Sequence, residues 1–451
     1  MNYHNQQIAV LGAGTSGVAA AQHLVTRGAR VTVQDQGVRP LAAQATVSLQ
    51  ALGCEIQKGE TLEADARFSL AVISPGIDPR QEWVQSYFRL GIPVWSELEL
   101  GYRAAQCPVV AITGTNGKTT TTELTQRVAA AAGLRSVAAG NIGLPLSEAV
   151  DLNPEAELFV LEVSSYQLEH IHEFRARVAV MLNLTPDHFD RYRGLADYAA
   201  AKNRIFENQR PDDTAVVQAE YAYKPGFRGQ VTRFTTGTGA ADYVCREGVI
   251  FRGGREVLRM EECRLKGIHN AENLMAVLAL AGAMHWEETR TLAALKSYEP
   301  APHRCEIVGV VGGVTWINDS KATNTDAVEK ALLSQPRPVL LIAGGKDKGF
   351  PFESLVPVVK EKVRRAFLIG ETAPKIAQAW AGGIPCEQSG TLEAAVAAAA
   401  QHAREGDIVL LSPACSSFDQ FRDYADRGEQ FKNFVRALED PNGSQTHNNR
   451  S

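Results

Sequence analysis

The 451-residue chain contains no run of about 18 apolar residues, the length a membrane-spanning helix requires. Its opening, Met1-Asn2-Tyr3-His4-Asn5-Gln6-Gln7, has no basic patch followed by an apolar core, so no export signal is expected. Cysteine is sparse: the seven residues at 54, 107, 245, 263, 305, 386 and 415 are odd in number, scattered and without Cys-x-x-Cys spacing. That pattern argues against a disulfide framework and against a zinc site, and it points to a reducing cytoplasm. There is no excess of positive charge either; a formal net charge of -5 gives no field that would draw nucleic acid. What remains, 45% hydrophobic and 22% charged, is the composition of a soluble globular protein. At roughly 150 residues per core, a chain this long should divide into about three domains.

From Gln7 to about Glu97, β-rich runs (Ile8-Ala9-Val10-Leu11, Val31-Thr32-Val33, Leu70-Ala71-Val72-Ile73) alternate with helical stretches. This is the rhythm of βαβ units on a parallel sheet. The first run empties into Gly12-Ala13-Gly14-Thr15-Ser16-Gly17, a complete G-x-G-x-x-G, and Asp35 closes the second run eighteen residues after Gly17. Such a loop recognises a diphosphate and such a carboxylate a ribose hydroxyl, so NAD, FAD or a UDP-type ligand would fit; a purely structural turn also stays open. Ser74-Pro75-Gly76 follows the third run at the same sheet edge, either as a ligand contact or as an ordinary turn.

The middle segment, 98–302, carries the most informative stretch. Val109-Val110-Ala111-Ile112-Thr113 runs into Gly114-Thr115-Asn116-Gly117-Lys118-Thr119-Thr120 and then into a helical pattern. Glycines let backbone N–H groups approach phosphate oxygens, a lysine adds a point charge, a threonine hydroxyl can hold Mg²⁺, and the helix start adds partial positive charge. The strict G-x-x-x-x-G-K-S/T pattern is missed, because position 112 is Ile and only two residues separate Gly114 from Gly117. Strands at Leu158-Phe159-Val160-Leu161 and Val178-Ala179-Val180-Met181-Leu182 extend a second parallel, doubly wound sheet. Between Tyr221 and Gly254, glycine-rich antiparallel signals predict a small accessory sheet, and a helix is predicted from Ala271 to Met284. Ser297-Tyr298-Glu299-Pro300-Ala301-Pro302 reads as a linker. The last segment, 303–439, starts with a hairpin around Gly312-Gly313 and carries strands at 339–342, 366–369 and 408–411, a second Rossmann-like unit; residues 440–451 are a polar tail expected to be disordered.

Polar clusters sit where strands end, which is where α/β sheets bind ligands. Glu162 closes a buried-looking run, a costly place for a carboxylate unless it is paired or bound to a metal. His188 lies among acidic residues in Asp187-His188-Phe189-Asp190-Arg191-Tyr192, and Lys202 stacks one helical turn beyond Tyr198. Taken alone, His188 reads more readily as a hydrogen-bonded residue than as a ligand, and Lys202 as a solvated helix position.

Taken in order, these segments resemble the ATP-dependent Mur ligases, which build the peptide stem of bacterial peptidoglycan. The resemblance spans nearly the whole chain: Thr113 to Thr119, Gly140-Asn141-Ile142-Gly143, Leu161-Glu162-Val163-Ser164-Ser165-Tyr166-Gln167-Leu168, the Asp187 to Tyr192 segment, and His269-Asn270 with Asn273. Pro302-His303-Arg304, Asn318-Asp319-Ser320-Lys321-Ala322-Thr323-Asn324 and Ser412-Pro413-Ala414-Cys415-Ser416-Ser417-Phe418-Asp419-Gln420-Phe421 complete it.

The resemblance implies three α/β domains. A Rossmann-like domain (1–97) would bind the UDP substrate, a central P-loop-type ATPase domain (98–302) the nucleotide, and a Rossmann-like C-terminal domain (303–439) amino acid and ATP. It implies ligation of D-glutamate to UDP-N-acetylmuramoyl-L-alanine through an acyl phosphate, by a cytoplasmic monomer that binds no nucleic acid. Lys118 with Gly114, Thr115, Asn116, Gly117, Thr119 and Thr120 would hold the ATP phosphates, Asn270 and Asn273 the adenine side, and Arg304, Asp319 and Lys321 the ribose and phosphates. Thr119 and Glu162 would bind one Mg²⁺ and His188 a second, beside a Lys202 carbamylated by CO₂. The first loop becomes a UDP site (Gly14, Thr15, Ser16, Asp35, Ser74, Gly76) with Asn141 on the muramoyl substrate. Thr323, Lys348, Ser417 and Tyr424 would bind D-glutamate, although Gly344-Gly345-Lys346-Asp347-Lys348 leaves Lys346 an equal candidate. Position 424 is Tyr where the family pattern has Phe. Alternatives are a ligase for another stem amino acid or for folate polyglutamylation, an NAD-dependent oxidoreductase, which leaves the Gly114–Thr119 loop without a role, and a non-catalytic nucleotide-binding regulator.

Overall fold

Long β-branched and aliphatic runs become the inner strands, since parallel strands covered by helices on both faces must be apolar throughout. A computed structural model describes residues 3–37, 43–59, 62–189, 191–222, 226–265, 267–299 and 302–438. The predicted tail at 440–451, part of the 297–302 linker and Asp190 lie outside the described residues.

The first sheet contains β1 (Gln7–Leu11), β2 (Arg30–Asp35), β3 (Glu55–Lys58), β4 (Leu70–Ile73) and β5 (Val94–Ser96), all parallel in the order β3-β2-β1-β4-β5. The strand order reverses direction between β1 and β4, so their carboxyl ends open a crevice flanked by Gly12 and Ser74.

The second sheet has nine strands: β6 (Val109–Thr113), β7 (Ser136–Gly140), β8 (Leu158–Glu162), β9 (Val178–Met181), β10 (Thr214–Gln218), β11 (Gln230–Thr235), β12 (Tyr243–Arg246), β13 (Val249–Arg252) and β14 (Arg255–Arg259). Their order is β14-β13-β12-β11-β10-β9-β6-β8-β7, which places the fully buried β6 between β9 and β8. The antiparallel strands β12 to β14 are not a separate accessory sheet; β12 joins β11 in parallel through Phe234 and Tyr243, so they extend the main one. The predicted helix spans Ile268–Ala283.

The third sheet holds β15 (Glu306–Val311), β16 (Val314–Asn318), β17 (Val339–Gly344), β18 (Val363–Ile369), β19 (Cys386–Gly390) and β20 (Ile408–Leu411) in the order β15-β16-β20-β17-β18-β19. The β15–β16 hairpin is antiparallel and the rest are parallel. The chain forms two compact units. One comprises Met1–Cys263 with Asn270–Tyr298 and carries the first two sheets; the other comprises Arg264–His269 with the chain from Glu299 onward and carries the third. Among the described residues no helix is long and apolar enough to cross a membrane, and all seven cysteines are free.

Candidate active site

The loop after β6 enters the helix Lys118–Ala131 through Gly117, whose φ of +83° suits glycine; a Cβ there would sit 2.3 Å from Asn273 Oδ1. The loop is held from below by Asn183. Its side chain accepts from the Asn116 N–H (2.9 Å) and donates to the Asn116 carbonyl (3.0 Å), while its own carbonyl accepts from the Thr115 N–H (3.0 Å). Thr115 Oγ1 donates to the Thr185 carbonyl and accepts from the Thr185 N–H. Thr121 donates to Asn273 Oδ1, and Asn273 donates to Asn270 Oδ1, so these two asparagines brace the loop and its helix from the Ile268–Ala283 helix. Thr119 and Thr120 lie in the first turn of the helix behind the loop.

Lys118 Nζ rests on the carbonyls of Gly114 (3.0 Å) and Thr115 (2.8 Å). Lys202 Nζ reaches the same Gly114 carbonyl at 2.9 Å and Thr113 Oγ1 at 3.2 Å, bringing two cationic side chains to one oxygen. Lys202 is only 1% exposed and packs over the Tyr198 ring, 4.7 Å from its centroid, so it is no solvated helix position. Burial, reinforced by the nearby Lys118 charge and opposed by Asp187 and Glu162, holds its amine well below the usual lysine range.

Glu162 lies opposite Ile112 in β6 and Gly140 in β7, at 3% exposure. Asn141 Nδ2 donates to its Oε1 at 2.7 Å, whereas its buried Oε2 has no hydrogen-bond partner among the described residues. An unpartnered buried carboxylate oxygen beside a phosphate loop fits a hard cation. His188 takes φ +57°, and its N–H donates to Asp187 Oδ1 (2.8 Å); its ring meets Tyr166 and Tyr198 edge-on. Among the described residues no three His, Cys, Asp or Glu side chains could hold a metal by themselves. Thr119 with Glu162 could hold one Mg²⁺, and His188 with a carbamylated Lys202 a second, each only with substrate oxygens or water completing the shell.

At the first crevice, Gly17 packs so tightly that a Cβ would lie 1.9 Å from the Gly12 carbonyl, which sets the start of the helix Thr15–Val25 against the loop. Gly14 caps that helix with open space in front of it, Ser74 donates to the Gly12 carbonyl, and Gly76 is exposed. Asp35 accepts from the Ala13 N–H and the Gly37 N–H, both at 2.8 Å, so it shapes the loop itself.

In the other unit, Asp319 follows β16 and is buried; it accepts from Ser412 Oγ (2.9 Å) and the Cys305 N–H (3.2 Å). Burial pushes its carboxyl up to about 7, against those hydrogen bonds and the charge of Arg304. Lys321 Nζ lies 3.7 Å from the centroid of the Tyr424 ring, which brings together a residue expected at ATP and one expected at D-glutamate. Ser417 is buried and Thr323 half-buried, while Lys346 and Lys348 are both exposed; the Lys346 N–H donates to the Ser416 carbonyl (2.9 Å) next to Ser417.

Two residues escaped the sequence reading. Asn183 stood unassigned at the end of a strand, and Arg427 had no visible motif. Arg427 is fully buried, donating to Ser320 Oγ and the carbonyls of Ser320, Cys415 and Ser416.

Three family models match the chain: a Mur ligase MurD-like N-terminal domain over 6–96, a Mur ligase middle domain over 112–281, and a Mur ligase glutamate ligase domain over 303–415. Proteins named UDP-N-acetylmuramoylalanine--D-glutamate ligase are similar along their full length. That of Geobacter metallireducens is 42% identical over 97% of this chain and 99% of its own, and that of Myxococcus xanthus is 42% identical over 96% and 98%. Among solved structures, MurF of Acinetobacter baumannii (TM-score 0.63, 18% identity, 91% of this chain and 90% of its own) and the UDP-N-acetylmuramate-alanine ligase MurC of Thermotoga maritima (TM-score 0.60, 17% identity, 96% and 100%) share the fold.

Proposed function

The chain belongs to the Mur ligase family, and from that premise we propose that it joins D-glutamate to UDP-N-acetylmuramoyl-L-alanine, cleaving ATP to ADP and phosphate in cytoplasmic peptidoglycan precursor synthesis. The observation that carries the reading is the convergence of Lys118 and Lys202 on the Gly114 carbonyl, with the half-unpartnered Glu162 near enough for its charge to act on Lys202. An oxidoreductase would leave this cluster without a task.

A carboxylate is a poor electrophile. Its oxygen attacks the γ-phosphorus, ADP departs, and the resulting acyl phosphate carries a competent leaving group. The D-glutamate amine then attacks the acyl carbon, losing a proton, and phosphate leaves with the former carboxylate oxygen. The loop N–H groups bind the phosphates, and Lys118 exchanges its two loop carbonyls for phosphate oxygens as charge shifts. Mg²⁺, when bound, neutralises charge on the transferring group. Thr119, Glu162, His188 and the carbamate of Lys202 would hold it, in two sites; Asn141 keeps Glu162 aimed while serving the muramoyl substrate. The low basicity of Lys202 favours carbamylation, since its neutral amine can form the N–C bond to CO₂ and release a proton.

We assign UDP to Gly14, Thr15, Ser16, Asp35, Ser74 and Gly76, ATP also to Asn270, Asn273, Arg304, Asp319 and Lys321, and D-glutamate to Thr323, Lys348, Ser417 and Tyr424, in a monomer whose three domains follow the three sheets. The test is substrate omission. Phosphate release should require the UDP-muramoyl-alanine acceptor and D-glutamate together; equal turnover without D-glutamate, or a preference for L-alanine or a diamino acid, would refute the assignment.

A further inference from the structure

After β9 the chain turns at His188, whose carbonyl accepts from the N–H groups of Arg191 and Tyr192, both at 3.0 Å. The turn carries Arg191 into a nearly closed setting, its side chain only 10% exposed. The guanidinium forks onto Glu169 through Nε (3.3 Å) and Nη2, and its Cζ lies over the Tyr166 ring, 4.9 Å from the centroid. Tyr192 Oη donates to the same Glu169 carboxylate at 2.7 Å. The remaining arm of Arg191, Nη1, donates to the Ile77 carbonyl at 2.9 Å. Ile77 closes the turn after β4, its N–H on the Ser74 carbonyl (3.0 Å), and Ser74 is bonded in turn to the carbonyls of Leu11 and Gly12. Arg191 thereby links the turn beside the first crevice to the segment of the second sheet that carries His188.

We propose that Arg191 is a positioning residue that fixes the separation between the UDP-side turn, 74–77, and the phosphoryl-transfer side of the second sheet, so that a substrate anchored at one presents its carboxylate at the other. The inference rests on the assignment of UDP to the first crevice. A planar guanidinium held by a carboxylate fork and a ring face has little room to slide, so the carbonyl it reaches is held in one place. The turn's own hydrogen bonds run back to the first sheet; its shape does not need Arg191, but its place relative to the second sheet does. The two sheets also meet through the Ser96 N–H on the His170 carbonyl (2.8 Å) and through Asp151, which pairs with His23 and Arg27. Those contacts keep the sheets docked when Arg191 is changed. What is lost is alignment, and a misplacement of about 1 Å caused from outside the chemistry costs up to about 100-fold in rate.

The test is Arg191→Lys, which keeps the charge but cannot fork, with Arg191→Met as a second variant that also removes the charge. Calorimetry with UDP alone reads the anchor; initial rates of phosphate release against UDP-N-acetylmuramoyl-L-alanine, with ATP and D-glutamate present, read the span. The Kd for UDP and the KM for ATP should stay within about twofold of the parent, which also reports that both sheets are folded, while kcat/KM for the UDP-muramoyl acceptor falls about tenfold in Arg191→Lys and further in Arg191→Met. An unchanged kcat/KM for the acceptor in both variants would overturn the proposal. So would a loss of UDP affinity as large as the loss in kcat/KM, because Arg191 would then serve the turn itself rather than its distance from the second sheet. A parent chain that fails to bind UDP would instead overturn the UDP assignment, and the inference with it.

Discussion

Asn183→Ala removes the buried side chain that clamps Asn116 from both sides, through an accepted and a donated hydrogen bond of 2.9 and 3.0 Å. Each such bond contributes a net of about 0.5–1.5 kcal/mol, so about 1–3 kcal/mol of loop order is lost. That order is needed most when the loop must meet phosphates whose charge is moving. At 1.36 kcal/mol per decade the loss corresponds to a fall of about 5- to 150-fold in kcat/KM for ATP. The change lies at a loop rather than in a sheet core, so the thermal midpoint should fall by only a few degrees. Initial rates of phosphate release against ATP, with both other substrates saturating, measure the effect. A kcat/KM within about twofold of the parent would refute the reasoning, because loss of both Asn183 side-chain hydrogen bonds to Asn116 should cost at least about 1 kcal/mol.

Lys202→Ala should lose most activity and recover part of it in acetate or formate, whose carboxylate can fill the vacated oxygen position; full activity in this variant would remove the carbamate from the mechanism. Glu97 is buried, accepts from the Ser147 N–H at 2.6 Å, and is pushed by burial up to about 7. The unfolded chain therefore gives up this proton at lower pH than the folded one. Stability drains away as pH rises from about 4.5 to 7, by at most about 1.4 kcal/mol per pH unit, and Glu97→Gln should flatten urea midpoints across that window. Lys348→Ala should raise the KM for D-glutamate by about tenfold or more, the worth of a charge-assisted hydrogen bond, and a larger effect from Lys346→Ala would move the assignment to that residue.

How far the fold was legible follows from where its strands lie. Leu70-Ala71-Val72-Ile73 and Val109 to Thr113 are buried on both faces, so burial wrote itself into their composition. Glu55-Ile56-Gln57-Lys58 and Cys386-Glu387-Gln388-Ser389-Gly390 are polar edge strands, held by backbone pairing that leaves no local trace. The β12 to β14 ribbon read as a separate sheet because the parallel join of Phe234 to Tyr243 is a tertiary event. The phosphate loop and Glu162 were visible as glycines and a carboxylate at strand ends. The burial of Lys202 was not: Tyr198, one turn back on the same helix, was legible as its neighbour, while the Gly114 carbonyl that receives its amine comes from packing. Asn183 and Arg427 bond mainly to backbone atoms of distant segments, contacts that no residue pattern announces.

The most direct measurement follows an oxygen. With ¹⁸O in the alanyl carboxylate of the UDP-muramoyl acceptor, complete turnover with ATP and D-glutamate should deliver one labelled oxygen to each inorganic phosphate, because the acyl phosphate breaks between carbon and that oxygen. Phosphate free of label, alongside normal yields of amide product, would contradict activation of the carboxylate by phosphoryl transfer at this loop.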